Sequence, residues 1–418
     1  MALALTAPAT PGPPPAHNGI AAVIAPSTAG DQYVPALARH GWSCIAVTLC
    51  EAPAPSGANL PPYALNVAHH GSVRRTTRAL RALGVSAVIA GSAAGASLAD
   101  QLAHSLRLPG NEPATSDIRS DVGWTAAALA DAGITAPRSI RTTRLSQALA
   151  WAAFCRLPQT VLRHADATRA PGRLCSTHSE IRSAWQRNAR AGTPGPLVLQ
   201  EHLPGTRYRV HTVSRPAPGT EPTHTITAIW SDTHTDTLQP YRADLMNSNG
   251  LLARALSLYL ARALTALGVQ HGPALTQLTF IPDRGPALLS LSTAPHTAFA
   301  ADVLRHATGH DPVRDTAHIL ATGGFAPPNP TTRRARITEI TLIPPHDGAL
   351  DAKLLRLITT LPTVAATSPL RPGAPVTAGA AAGRLLLVAD GTRAINDDCR
   401  VIRTVETLGL YTPRQATP

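Results

Sequence analysis

Ser86-Ala-Val-Ile-Ala-Gly-Ser92, continued by Leu98-Ala-Asp100 and closed by Leu108-Pro-Gly-Asn-Glu-Pro113, carries the reading of the whole chain. Ser86 to Ala90 is a short apolar run, Gly91 to Gly95 is a turn, and Leu98 to Leu106 has helical spacing. Upstream, Ile20 to Ala25 and Ser43 to Thr48 are two more short apolar runs. Gln32 to His40 has the spacing of a helix stopped by Gly41, and Ser72 to Leu83 that of an amphipathic helix ending at Gly84. Strands alternating with helices of this length predict a parallel α/β sheet, whose ligands gather at the C-terminal ends of the strands. His69-His70-Gly71 reads as a loop before a helix rather than as a ligand pair.

Downstream, Asp121 to Ala132 is a helix closed by Gly133. Thr160 to Arg163 and Leu197 to Gln200 are strand-like, while Arg209 to Val213 and Thr225 to Trp230 flank a Pro/Gly loop and predict a hairpin. Leu251 to Leu267 is a long amphipathic helix, followed by strands at Ala274 to Phe280 and Ala287 to Leu291. After the linker-like Gly323 to Thr332 come a strand at Ala335 to Ile343, a helix near Ala349 to Thr359, a strand at Arg384 to Ala389 and a helix from Asn396 to Leu408.

The chain has 418 residues, room for about two to four domains. Its 37 Lys+Arg against 25 Asp+Glu give a net charge of +12, yet Lys353 is the only lysine. An arginine- and alanine-rich chain of this kind reads as a high-GC bacterial coding bias, which accounts for the basic balance. No arginine cluster is interleaved with stacking aromatics, and no zinc or helix-turn-helix spacing occurs, which argues against nucleic acid as a partner. No apolar run reaches the roughly 18 residues of a membrane span. Residues 1–17, rich in Pro and Ala and without a basic n-region, read as a disordered tail rather than a secretory signal. Cys44, Cys50, Cys155, Cys175 and Cys399 are odd in number and dispersed, as expected of reduced thiols in a cytoplasmic protein. Cys44 and Cys50 have no basic neighbour in sequence, so no thiol nucleophile is expected.

Three further phrases stand in a familiar order: Gln200-Glu-His-Leu-Pro-Gly-Thr206, Gly268-Val-Gln-His-Gly-Pro273, and Arg371-Pro-Gly373 with Gly383-Arg-Leu-Leu-Leu-Val-Ala389. With the opening stretch they make residues 18 to 410 resemble the ATP-grasp carboxylate–amine ligases, especially the L-amino acid ligase group. The resemblance implies ATP bound between two α+β lobes, a carboxylate phosphorylated there, and an amine attacking the acyl phosphate. Such chemistry needs cations on the phosphates and oxygen ligands on magnesium.

The chain departs from the family at those places. The family's Arg-x-Asp-Lys reads Arg119-Ser-Asp121-Val122, and the flap lysine falls at Leu162, or at Arg163 with a one-residue shift. The flap glycines become Asp166 to Arg173, with only Gly172 left to approach a phosphate. The ribose-binding acid is Arg207 and the acid beyond it is His211; the first metal-binding glutamate is Gln277, and the Glu-x-Asn-x-Arg strand reads Ser290-Leu-Ser292-Thr-Ala294. No lysine precedes position 353, so neither phosphate lysine exists. Arginine can replace lysine on a phosphate, whereas serine and glutamine cannot replace carboxylates on a hard cation without a large loss of charge.

The expected fold is therefore α/β and α+β, an ATP-grasp fold. It comprises a Rossmann-like domain at 18–115, a two-lobed core at 116–322 with a flap at 140–205, a linker at 323–332 and a small α+β domain at 333–411. Arg163, Gln200, Glu201, Leu203 and Arg207 are the expected nucleotide- or anion-binding residues, the hinge trio through backbone groups. Gln277, Ser290 and Ser292 are degenerate metal positions, so ATP is the expected ligand and magnesium is not expected. Arg169 and Arg173 are more simply solvated flap residues. His211 and His296 are candidates for substrate binding or acid–base work, although single histidines are more often structural. His224, Asp232, His234 and Asp236 invite a metal reading, but a polar hairpin end is simpler. The expected function is a degenerate homologue that binds an anionic ligand, nucleotide or small carboxylate, or supports an active ATP-grasp protein or a second copy of itself. An active ligase that recruits arginines is the alternative.

Overall fold

Four parallel strands open the structure, in the order Leu65–His69, Ser43–Leu49, Ile20–Ile24, Ala87–Ala90. This computed structural model describes residues 19–27, 29–49, 63–166, 168–169, 172–192, 195–217, 219–235, 237–248, 250–296, 301–325, 335–368 and 370–413. The expected tail 1–17, Cys50, Asp236 and residues 326–332 of the expected linker lie outside them. Tyr33, Leu37 and Trp42 pack one face of the parallel sheet and Leu80, Leu98 and Leu102 the other, which explains why its central strands are apolar throughout. Gly95 lets the turn after Ala87–Ala90 press against the sheet, because a Cβ there would stand 2.4 Å from the Ile24 carbonyl oxygen. Leu65–His69 was not legible as a strand: it is the half-exposed edge of the sheet and lacks an apolar run. His69 therefore closes a strand instead of lying in a loop, and its Nδ1 hydrogen-bonds the Thr76 hydroxyl at 2.8 Å.

A smaller antiparallel sheet follows, ordered Ser139–Thr142, Leu197–Glu201, Thr160–His164, Arg173–Cys175. The helices Leu145–Cys155 and His178–Arg190 bury Ala148, Ala152, Ile181 and Ala184 against Leu162 and Leu199. Neither helix was expected, and their alanine- and arginine-rich sequences give little periodic signal.

The larger sheet has eight strands, in the order Gly285–Ser292, Gly272–Ile281, Thr206–Arg215, Thr223–His234, Pro240–Leu245, Arg336–Leu342, Gly383–Ala389, Val364–Ser368. The predicted hairpin is its centre, with Val213 opposite Thr225 and Arg209 opposite Trp230. The helices Leu251–Ala266 and Val122–Asp131 lie on one face, where Leu256, Leu260, Leu264 and Leu129 meet Tyr208, Val210, Ile229 and Leu278. The sheet runs without a break into the C-terminal segment, since Ala243 pairs with Glu339. There the helices Ala352–Thr359 and Thr392–Val405 cover Ile340, Leu385 and Leu387. The first of these starts later than expected, because Gly348–Leu350 is a strand against Tyr411–Pro413 and Asp351 caps the helix through the amides of Lys353 and Leu354. Among the described residues no helix is long and apolar enough to cross a membrane.

Candidate functional site

Alternation along Thr206–Arg215 sends Tyr208 and Val210 into the core, so Arg207, Arg209 and His211 occupy the opposite face of the large sheet. The register sets Thr279 and Asp232 beside Arg207, Gln277 and Trp230 beside Arg209, and Leu275 and Ala228 beside His211. One strand further out, Ser290 pairs with Gln277 and Ser292 with Leu275. The Ser290 hydroxyl donates to Gln277 Oε1 at 3.2 Å. All three residues expected at the degenerate metal positions thus fall in one patch, beside the arginines.

From the smaller sheet, Arg163 crosses to this patch, and its Nη1 donates to the Leu289 carbonyl at 3.4 Å. Leu289 is the residue skipped where the Gln277–Ser290 ladder shifts register. The Arg163 Nε is shielded from solvent without an acceptor. Burial pulls the Arg163 pKa down to about 10, and the neighbouring Arg207 guanidinium adds to the effect. Burial also lowers the pKa of Arg207, with Asp232 opposing. Arg209 differs: burial works against its charge, but Asp232 and Glu339 outweigh it and hold the pKa up. Its Nε meets both Asp232 oxygens at 2.9 and 3.0 Å, and its Nη2 meets Glu339 Oε1 at 3.1 Å. The Thr279 hydroxyl, in register with Arg207, is buried and unpartnered.

Four histidines surround these groups and are held neutral. Burial drives His211 down to about 3, helped by His296 and then Arg209. His296, exposed at the end of its described segment, is lowered in the same direction, by loss of solvation and then by Arg209 and Arg384. His234 falls to about 4 through burial and then Arg207, and His202 is lowered by the same two causes. At neutral pH these rings are polar but uncharged.

In the segment expected to form the hinge, Leu203 packs with Ile281 and Ala287 in a small apolar cluster, and Gln200 is buried in the smaller sheet opposite Val161 and Ser139. Glu201 accepts from Arg138 Nε at 3.3 Å and from Arg284 Nη1 at 3.2 Å, while its own amide donates to the Arg138 carbonyl. These three side chains are therefore engaged in packing or pairing. Arg169 pairs with Asp166 at 3.5 Å and Arg173 is exposed. His224 hydrogen-bonds Ser214 and Thr265, a structural role, so it does not converge with His234. Among the described residues no group of three His, Cys, Asp or Glu could hold a metal ion. The Cys44 thiol is buried, and burial pushes its pKa up to about 11, away from nucleophilic use.

Arg209, Asp232, Thr279 and Glu339 were not singled out from sequence as parts of this patch. Arg207-x-Arg209-x-His211 carries a period-two signal that would have found Arg209. Glu339 lies 130 residues from Arg209 and had no such signal.

The residues present do not fit magnesium: the patch offers an amide, two hydroxyls and guanidinium groups where a hard cation needs anionic oxygen, and its carboxylates Asp232 and Glu339 are both already held by Arg209.

No protein-family model matches the sequence, and no curated protein matches it either. Solved structures do match. The L-amino acid ligase from Bacillus licheniformis superposes with a TM-score of 0.75 at 14% identity, over 93% of this chain and 97% of that one. A carboxyaminoimidazole ribonucleotide synthase from Aspergillus clavatus complexed with ATP gives 0.68 at 13%, over 94% and 99%. A biotin carboxylase from Campylobacter jejuni complexed with a β,γ-ATP ligand gives 0.61 at 12%, over 92% and 95%. The chain has the ATP-grasp fold, the fold of the carboxylate–amine ligases.

Proposed function

We propose that this chain is a degenerate ATP-grasp protein that does not carry out magnesium-dependent acyl-phosphate ligation. Its cleft binds an anionic ligand, a nucleotide or a small carboxylate such as an amino acid, within a biosynthetic pathway of the cytoplasm. The observation that carries this reading is the Gln277–Ser290 hydrogen bond, with Arg163 reaching over from the other lobe. Positions that the resemblance assigns to metal carboxylates hold hydrogen-bonding neutral groups, and the charged residue beside Gln277 in the ladder is Arg209. Phosphoryl transfer between such groups lacks the divalent ions that neutralise the developing charge. The expected domain limits, with the flap at 140–205, place Arg163 on the mobile side of the cleft. A role in supporting an active ATP-grasp protein, or a second copy of the chain, is compatible with the same site.

Purified protein incubated with ATP, magnesium and pairs of amino acids is expected to form no ADP above the protein-free rate. Magnesium-dependent ADP formation would overturn the reading. A second reading, an active ligase with Arg163 in place of a phosphate lysine, draws support from the position of that guanidinium. It requires an ATP-induced rise in melting temperature that a chelator abolishes.

A further inference from the structure

The cleft contains an unbalanced arrangement of charge. Arg163 from the smaller sheet reaches the Leu289 carbonyl on the edge strand of the larger sheet, two strands from Arg207, and among the described residues neither arginine forms an ion pair with a carboxylate. Asp232, beside Arg207 in the ladder, is gripped through both oxygens by Arg209 Nε. Glu339 is shared between Arg209 and, at 3.8 Å, Arg384. Glu201 is held by Arg138 and Arg284. The carboxylates around the cleft are thus committed elsewhere, while among the described residues Arg163 makes one hydrogen bond, to a carbonyl, and its shielded Nε has no acceptor. Two partly buried guanidinium groups on facing sheets repel each other and each lose part of their hydration, a state that a shared anion relieves.

The groups between them are suited to give protons. Gln277 Oε1 is occupied by Ser290, which leaves its Nε2 hydrogens for another acceptor. The Thr279 hydroxyl is buried without a partner, in register with Arg207. Two guanidinium forks from opposite lobes, a carboxamide and a hydroxyl suit an anion with three or more acceptor oxygens rather than a flat carboxylate.

We infer that Arg163 and Arg207, with Gln277 and Thr279, form a clamp between the two lobes that binds a phosphate-type oxyanion directly, without any divalent cation. The inference rests on the degenerate reading above and narrows it to a ligand class. The guanidinium groups take the charge-neutralising part that a metal would otherwise play, so one and the same anion ties the lobes together. Free pyrophosphate and the tail of a nucleotide share this chemistry.

Calorimetric titration of the full chain tests the clamp, with inorganic phosphate, pyrophosphate and ATP each in EDTA and again in magnesium. Wild-type protein is expected to bind pyrophosphate or ATP in EDTA, and magnesium to weaken binding or leave it unchanged. Arg163→Gln and Arg207→Gln are each expected to weaken it by about 10- to 100-fold, the effect of losing one charge-assisted contact. Arg163→Lys, which keeps the charge but not the fork, is expected to fall between. Arg74→Gln, an exposed change of equal charge on the first domain, is expected to bind as wild type. Tighter binding of ATP than of pyrophosphate assigns the oxyanion to a nucleotide, and the reverse assigns it to a free anion; the clamp stands in both. Equal affinity in wild type and both glutamine variants, with melting temperatures unchanged, overturns the clamp and leaves the degenerate reading intact. Absence of binding by all three anions also overturns it. Binding that appears only with magnesium overturns the clamp and, if ADP forms as well, the degenerate reading too.

Discussion

Asp100 is held by Arg119 at 2.5 Å, by the Ser116 hydroxyl at 2.6 Å and by Asn111 at 3.3 Å, with both members of the ion pair nearly inaccessible. Arg119 also donates to the Leu267 carbonyl, so this one side chain ties the first domain to the long helix of the core. Removing one partner of such a pair strands the other in a medium that solvates charge poorly. Asp100→Ala is therefore expected to destabilise the protein by about 3–5 kcal/mol, read as a lower urea midpoint. Thr279 is the opposite case. Its hydroxyl is buried unsatisfied, so Thr279→Val is expected to leave stability unchanged or raise it by up to about 1 kcal/mol while weakening anion binding. Denaturation and titration on the same preparation separate the two effects, and a Thr279→Val protein that loses stability would show that the hydroxyl has a structural partner.

At the scale of elements, Asp121 starts the helix Val122–Asp131 by accepting from the amides of Gly123 and Trp124 at 2.9 and 3.1 Å, and it binds Arg141 at 2.7 Å with its other oxygen. Four amides at a helix start lack internal partners, and a side-chain acceptor satisfies part of that set. Asp121→Ala is expected to lower stability by about 1–2 kcal/mol, measured by chemical denaturation. The strand Thr206–Arg215 begins where Gly205 meets the neighbouring strand so closely that a Cβ would lie 2.3 Å from the Phe280 carbonyl oxygen. Gly205→Ala must push these strands apart, and Arg207 sits two residues further on. The expected result is a loss of roughly 1–3 kcal/mol together with weaker anion binding; an alanine variant with wild-type affinity would separate the hinge from the clamp.

At the scale of the whole molecule, buried histidines tie stability to pH. His211 has a folded pKa of about 3 against an ordinary value near 6.5, because burial excludes the charged ring. Above about pH 6.5 neither state binds the proton and the ring contributes nothing. Between about 6.5 and 3 only the unfolded chain takes it up, so stability falls as pH falls, by up to about 1.4 kcal/mol per pH unit for this one histidine. His224, His234 and His271, each pushed down to about 4 chiefly by burial, act in the same direction. A urea midpoint that drops steeply from pH 6.5 to pH 4, and less steeply in His211→Leu, is the expected outcome. The first sheet was legible in the chain because buried parallel strands are continuous apolar runs between glycine turns, as at Ala87–Ala90. That Gln277, Ser290, Ser292 and Arg207 carry no carboxylate was legible too, since residue identity alone says so. What sequence could not supply is adjacency: the edge strand Leu65–His69, the ladder joining Ala243 to Glu339, and the crossing of Arg163 to Leu289 all depend on contacts between distant segments. Local patterning fixes which residues can be strands and which can carry charge, whereas the competition among carboxylates and arginines is settled only once the lobes are packed. Folding commits Asp232 and Glu339 to Arg209, and among the described residues it leaves Arg163 and Arg207 without an ion pair.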